Sequence, residues 1–133
     1  MDFAQGACIV SLQPSFVRVE LARFVGIPQI VIVGLPTQVA SETKERLVAI
    51  AKTLGIKLPH CLFLFSLSPP CQVRSGAGLD LALLVTLFHS LGVLRKDIVL
   101  HERQLWLGAL RLDGTVCSTI GIPVLIEAAA QLG

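Results

Sequence analysis

Charge is what this sequence has least of. Only 15% of its 133 residues are Asp, Glu, Lys or Arg, while 53% are hydrophobic. A typical soluble domain is about 25% charged. So little charge leaves apolar surface that a partner, another domain or a second copy is expected to cover. The net charge is +2, and the eleven basic residues are scattered from Arg18 to Arg111 without a cluster. That excludes a basic stripe tracking a nucleic-acid backbone. A membrane span is also lacking. The longest stretch free of charge, Phe24 to Ser41, is interrupted by Gly26, Pro28, Gly34 and Pro36. A spanning helix needs about 20 mainly apolar residues. Leu81 to Leu94 is shorter still. Met1-Asp2-Phe3 lacks the basic start of a signal peptide. The chain is therefore expected in the cytoplasm, with no membrane partner.

Paired cysteines are missing as well. Cys8, Cys61, Cys71 and Cys117 form no Cys-x-x-Cys motif. A zinc site from His60, Cys61 and Cys71 matches no common ligand spacing. The cysteines are expected as reduced, mostly buried thiols, and no metal is assigned. His89 and His101 read as structural or solvated. No Gly-x-x-x-x-Gly-Lys-Ser/Thr loop occurs, so no nucleotide site of that kind is expected. Internal repeats and low-complexity segments are absent too.

What is present centres on Leu62 to Leu91, a strand, a loop and a helix. Leu62 to Leu67 is a short apolar run closed by Ser68-Pro69-Pro70, the pattern of a buried strand. Arg74-Ser75-Gly76-Ala77-Gly78 is a glycine loop leading into a helix over Leu79 to Leu91 that is apolar almost all round. Asp80 falls in its first turn, where a carboxylate suits the helix dipole. Such a loop can bind an anion or hold a nucleophile, or it can be only a tight connection. The tight connection is favoured, because a lone Gly-x-Gly is a weak signal.

The other elements follow from periodicity. Ala7 to Leu12 and Ser15 to Arg23 read as strands around a turn near Gln13-Pro14, the second with one wet face. Gln29 to Val33, Gln-Ile-Val-Ile-Val, is β-branched and predicts a central strand. A helix follows from Thr37 or Ser41 to Leu54. Val39, Leu47, Ile50, Ala51 and Leu54 form its buried stripe, and Gly55 caps it. Glu42 and Arg46 stand four apart as an exposed pair worth at most a few tenths of a kcal/mol. Leu105 to Leu112 reads as a strand. Asp113-Gly114 turns the chain into a return strand over Thr115 to Ser118. Pro123 opens a last helix over Val124 to Leu132. The order βββ-α-β-α-ββ-α predicts one α/β (α+β) domain over residues 1–133. The abrupt end at Gly133 suggests a fragment of a longer protein.

These residues carry a family resemblance. Ile32-Val33-Gly34-Leu35-Pro36 resembles I-V-G-L-P, and Glu42-Thr43-Lys44-Glu45-Arg46-Leu47 resembles E-S-R-E-R-V. Leu67-Ser68-Pro69 resembles L-A-P, and Gly76-Ala77-Gly78-Leu79-Asp80-Leu81 resembles G-S-G-F-D-L. Leu107 to Gly114 resembles L-G-E-L-S-L-D-G. The ordered blocks, spread over nearly the whole chain, resemble the N-terminal domain of the bacterial magnesium-chelatase-like AAA+ proteins, the ComM/YifB family. The resemblance implies a two-layer sandwich similar to the Lon peptidase domain and to the second domain of a small-subunit ribosomal protein. It implies an ATPase module after Gly133, which would use ATP and Mg and assemble as a hexamer. It also implies a link to competence, where the ring is a DNA branch-migration motor in natural transformation. Cys71, Ala77, Ala109 and Ser66 stand where the family commonly has an acidic residue, serine, glutamate and asparagine. These departures leave packing as the shared role.

A serine peptidase of the Lon kind needs a lysine to activate its serine. On that pattern the serine position falls on Gly76 and the lysine position on Pro123, and neither side chain can do the chemistry. Ser75 is one residue away, and Lys52 and Lys57 lie elsewhere. No catalytic residue or cofactor is therefore assigned to this chain. The expected role is a non-catalytic interaction and assembly domain that binds the AAA+ module. The alternative is a DNA-contacting accessory domain, with Lys44, Arg46 and Lys52 on one helix face joined by Arg74. The candidate interaction positions are Arg74, Gly76, Gly78, Asp80, Glu42 and Arg46.

Overall fold

The computed structural model describes residues 2–10, 13–70, 77–94, 100, 104–117 and 130. The chain starts with two long antiparallel strands, β1 (Asp2–Val10) and β2 (Gln13–Phe24). After β3 (Gln29–Val33) comes helix α1 (Thr37–Thr53), and then β4 (Leu62–Ser68). A 3-10 turn over Ala77–Leu79 leads into helix α2 (Asp80–Leu91). Two short strands, β5 (Ala109–Leu110) and β6 (Val116–Cys117), form a small antiparallel pair. The last expected helix lies outside the described residues, residue 130 apart.

The main sheet has the order β1-β2-β4-β3. The α1 crossover sets β3 parallel to β4, and β4 inserts between β2 and β3. This corrects one expectation. Gln29–Val33 has the composition of a central strand, yet among the described residues it lies at the edge of the sheet. Composition reports how well a strand suits a half-buried pleat, not its rank in the sheet.

One face of the sheet carries the core. Val17, Val19 and Leu21 of β2 share a cluster with Phe63, Phe65 and Leu67 of β4 and with Ile30 and Ile32 of β3. Leu47 and Ile50 of α1 and Leu79, Leu83 and Leu87 of α2 close the same cluster. Both helices therefore cover one face, giving a mixed α/β layer arrangement. Burying each such side chain contributes about 1.5–3 kcal/mol. Helix α1 buries Val39, Leu47, Ile50 and Ala51 as its periodicity implies, and adds Thr43. Leu54 departs from that stripe. It follows the helix end and is half exposed beside Gly114.

The strand expected over Leu105 to Leu112 shrinks to two residues. The backbone before it has other partners. Trp106 N–H donates to the Gln5 carbonyl at 2.8 Å, and Leu81 N–H donates to the Gly108 carbonyl at 3.3 Å. The Asp113-Gly114 turn forms as expected. Gly114 has φ +88 and donates to the Arg111 carbonyl at 2.9 Å.

Among the described residues, Cys8 departs from the expected free thiols. Cys8 is disulfide-bonded, whereas Cys61 and Cys117 are free and half-buried. Spacing along a chain does not report which sulfurs the fold brings together. Cysteine chemistry thus gives no support to a cytoplasmic location. No helix among the described residues is long and apolar enough to cross a membrane.

Candidate functional site

Two of the residues singled out in the sequence meet in space. Asp80 opens α2 and is 1% exposed. Arg46 reaches it from α1 through two hydrogen bonds. Nε donates to Oδ2 at 2.8 Å, and Nη2 donates to Oδ1 at 3.0 Å. Such a bidentate, charge-assisted pair has a fixed direction as well as strength. Nη2 also donates to Oγ1 of the fully buried Thr43 at 3.1 Å. The backbone N–H of Leu110 donates to Asp80. One carboxylate therefore joins α1, the start of α2 and β5.

Burial holds the Asp80 carboxyl above the usual carboxylate range. The hydrogen bonds and charge of Arg46, and the Leu110 N–H, pull the other way. Desolvation wins because the side chain has lost nearly all its water. Both oxygens are already engaged by Arg46. To accept a proton as a general base, the carboxylate would have to loosen this pair. The arrangement suits a clamp.

The remaining candidates separate. Glu42 is exposed and accepts a hydrogen bond from Gln38 Nε2 at 3.1 Å. The exposed Glu42–Arg46 pair is thus corrected, because Arg46 turns inward where a desolvated carboxylate offers a stronger partner. The same turn takes Arg46 out of the basic face expected with Lys44 and Lys52, which are exposed. Gly78 lies within the 3-10 turn. Arg74 and Gly76 lie outside the described residues, as does Ser75. Thr43 and the Leu110 N–H were missed. Thr43 had a signal, since it continues the buried stripe between Val39 and Leu47 at steps of four. The Leu110 N–H had none, because a tertiary contact creates its role.

A second feature is apolar. Phe24, Val25, Ile27 and Val33 are exposed by 50%, 103%, 78% and 53%. They make up half of the exposed large apolar side chains among the described residues. All four fall in the uncharged stretch around β3. Beside it lies a cleft of 270 Å³, whose walls include Ile30, Val48, Leu58 and Phe63. Lys44, His60 and the free Cys61 also line it. Among the described residues, no group of three or more His, Cys, Asp or Glu side chains is placed to hold a metal.

The geometry is that of a one-sided α/β layer with a buried carboxylate–guanidinium clamp and an exposed apolar stretch around β3. Sequence comparison supplies the family. A family model described as subunit ChlI of Mg-chelatase matches residues 17–133. The chain belongs to this magnesium-chelatase family and matches the N-terminal region of its AAA+ members. It is also similar to uncharacterised proteins of Mycobacterium bovis and Mycobacterium tuberculosis. Each is 28% identical over 130 residues, which cover 98% of this chain and 25% of the relative. The chain thus spans a quarter of the length of these curated relatives.

Proposed function

We propose that this chain is a non-catalytic interaction and assembly domain of a magnesium-chelatase-like AAA+ ATPase. The full protein would be a cytoplasmic, ComM-like hexameric motor for DNA branch migration in natural transformation. ATP and Mg would bind in the ATPase module and not in this domain. The observation carrying the reading is the exposed, uncharged surface at Phe24, Val25, Ile27 and Val33. Apolar surface of this kind is kept where another surface covers it. The Arg46–Asp80 clamp supports the reading, since it uses a buried carboxylate and a part-buried guanidinium for cohesion. A sheet with both helices on one face is compatible with the proposed Lon-like fold.

Analytical ultracentrifugation of the 133-residue chain, alone and with the ATPase module of the same protein, tests this reading. Self-association or binding to the module is expected. A chain that stays monomeric at high concentration and ignores the module would overturn it. The DNA-contact alternative rests on Lys44 and Lys52, because Arg46 is engaged by Asp80. It requires salt-dependent binding of duplex or branched DNA that weakens on Lys44→Ala and Lys52→Ala. A Ser-Lys peptidase is the least favoured reading. It requires turnover of a casein-like substrate that is lost on Ser75→Ala.

A further inference from the structure

We infer that the end of the domain around the α1–β4 connection is a docking site for an acidic peptide segment that carries an apolar anchor. This deepens the interaction reading, on which it rests, by naming the chemistry of one partner. Two clefts meet there, and Pro59 lines both. The first is the 270 Å³ cleft walled by Ile30, Val48, Leu58 and Phe63, with Lys44 and His60 beside them. The second holds 440 Å³ between Ile56, Leu91 and Val93, with Arg23 and Lys57 in its walls. The guanidinium of Arg23 stands 5.3 Å from the centre of the Phe63 ring, so a side chain of the second cleft lies over a wall of the first. Arg23 Nη1 donates to the Ser90 carbonyl at 3.1 Å, which holds the guanidinium in place.

Charge chooses the occupant. Arg23, Lys44 and Lys57 line the two clefts, and no Asp or Glu among the described residues lines either. The sequence shows why. It has no acidic residue between Glu20 and Glu42, and none between Glu45 and Asp80. Those two stretches supply most of the walls. Glu45 follows Lys44 in the chain but lines neither cleft. Lys44, Lys57 and His60 have no hydrogen-bond or ion-pair partner among the described residues. Cations set beside apolar concave walls are complementary to carboxylates next to an inserted apolar side chain. The first cleft is smaller than the about 300–1,000 Å³ of a small-molecule site, which suits a single anchor side chain. Two other occupants fit less well. A nucleic-acid backbone is tracked by a row of cations, and here apolar walls separate them. A bilayer would take the projecting Val25 and Ile27 and leave the clefts empty.

The test is selection of random phage-displayed peptides on the immobilised 133-residue chain, followed by fluorescence anisotropy of the selected peptide in solution. The expected consensus places Asp or Glu within a few residues of a large apolar side chain. Its affinity should fall with added salt and when its acidic residues are replaced by their amides. Lys44→Glu and Lys57→Glu should each weaken binding by about fivefold. Lys52→Glu, exposed on α1 but outside both clefts, should change it less. Circular dichroism checks the fold of each variant, and Lys57→Gln serves if a reversal unfolds the chain. Cys61 is a built-in reporter, because it is free and lines the first cleft. Bound peptide should slow its alkylation by iodoacetamide, while the free Cys117 of β6 reacts as before. Failure to enrich a consensus, a consensus without acidic residues, or an affinity indifferent to Lys44 and Lys57 overturns the inference. So does protection of Cys61 by duplex DNA or by phosphatidylserine vesicles with none from the peptide. Each of these results leaves self-association and binding to the ATPase module, read by ultracentrifugation, to decide the assembly reading separately.

Discussion

Asp80 shows how one residue changes meaning between sequence and structure. In the sequence it is a carboxylate suited to a helix start. In the fold it is a buried ion held by Arg46, Thr43 lying beside the guanidinium. Removing one partner of such a pair strands the other charge. Arg46→Ala should therefore cost about 3–5 kcal/mol at neutral pH, read by urea unfolding. The sign of its pH dependence follows from the raised folded-state pKa of Asp80. The folded state holds this proton more tightly than the unfolded chain. The contribution of Asp80 is fully favourable below 3.8 and declines as pH rises through the folded value. Without Arg46 the folded value rises further. The loss in Arg46→Ala should thus be largest near neutrality and shrink in acid. Equal losses at pH 3 and pH 7 would contradict this. Asp113 behaves oppositely. The Thr115 hydroxyl and N–H hold its carboxyl below 3.8. Its contribution is present above 3.8 and is lost as pH falls through the lowered folded value. Carbon-detected NMR titration should place its midpoint below 3.8, and Thr115→Val should move it upward.

At the scale of elements, the β3–α1 connection decides where β3 goes. Gly34 has φ +107, and a Cβ there would lie 2.8 Å from Leu67 Cβ and 2.9 Å from the Leu67 carbonyl. The turn thus presses β3 against β4 in a conformation that L side chains avoid. Gly34→Ala should cost about 1–3 kcal/mol, seen as a lower thermal midpoint. Leu47, fully buried between α1 and the sheet, should cost about 2–5 kcal/mol as Leu47→Ala. A loss below about 1 kcal/mol would mean that α1 does not close the core as described. The Asp113-Gly114 turn and the glycine after α1 were legible from local chemistry alone. The length of β5 was not, because the backbone just before it, at Trp106 and Gly108, finds its partners in β1 and α2.

At the scale of the whole molecule, the low charge and the exposed stretch around β3 are one property seen twice. The low charge implies uncovered apolar surface, and among the described residues half of the large exposed apolar side chains lie between Phe24 and Val33. By itself the sequence determined the number and type of most elements, the buried stripe of α1 and the family blocks. Each depends on neighbours within a turn or a strand, or on ordered motifs along the chain. It also marked Arg46 and Asp80, though as separate positions. Only the tertiary structure decided that these two meet, that β4 displaces β3 to the edge, and that Leu54 leaves the buried stripe. The physical reason is the same in each case. Strand order, ion pairing and burial are set by contacts between distant segments, and local propensity carries no information about which segments meet.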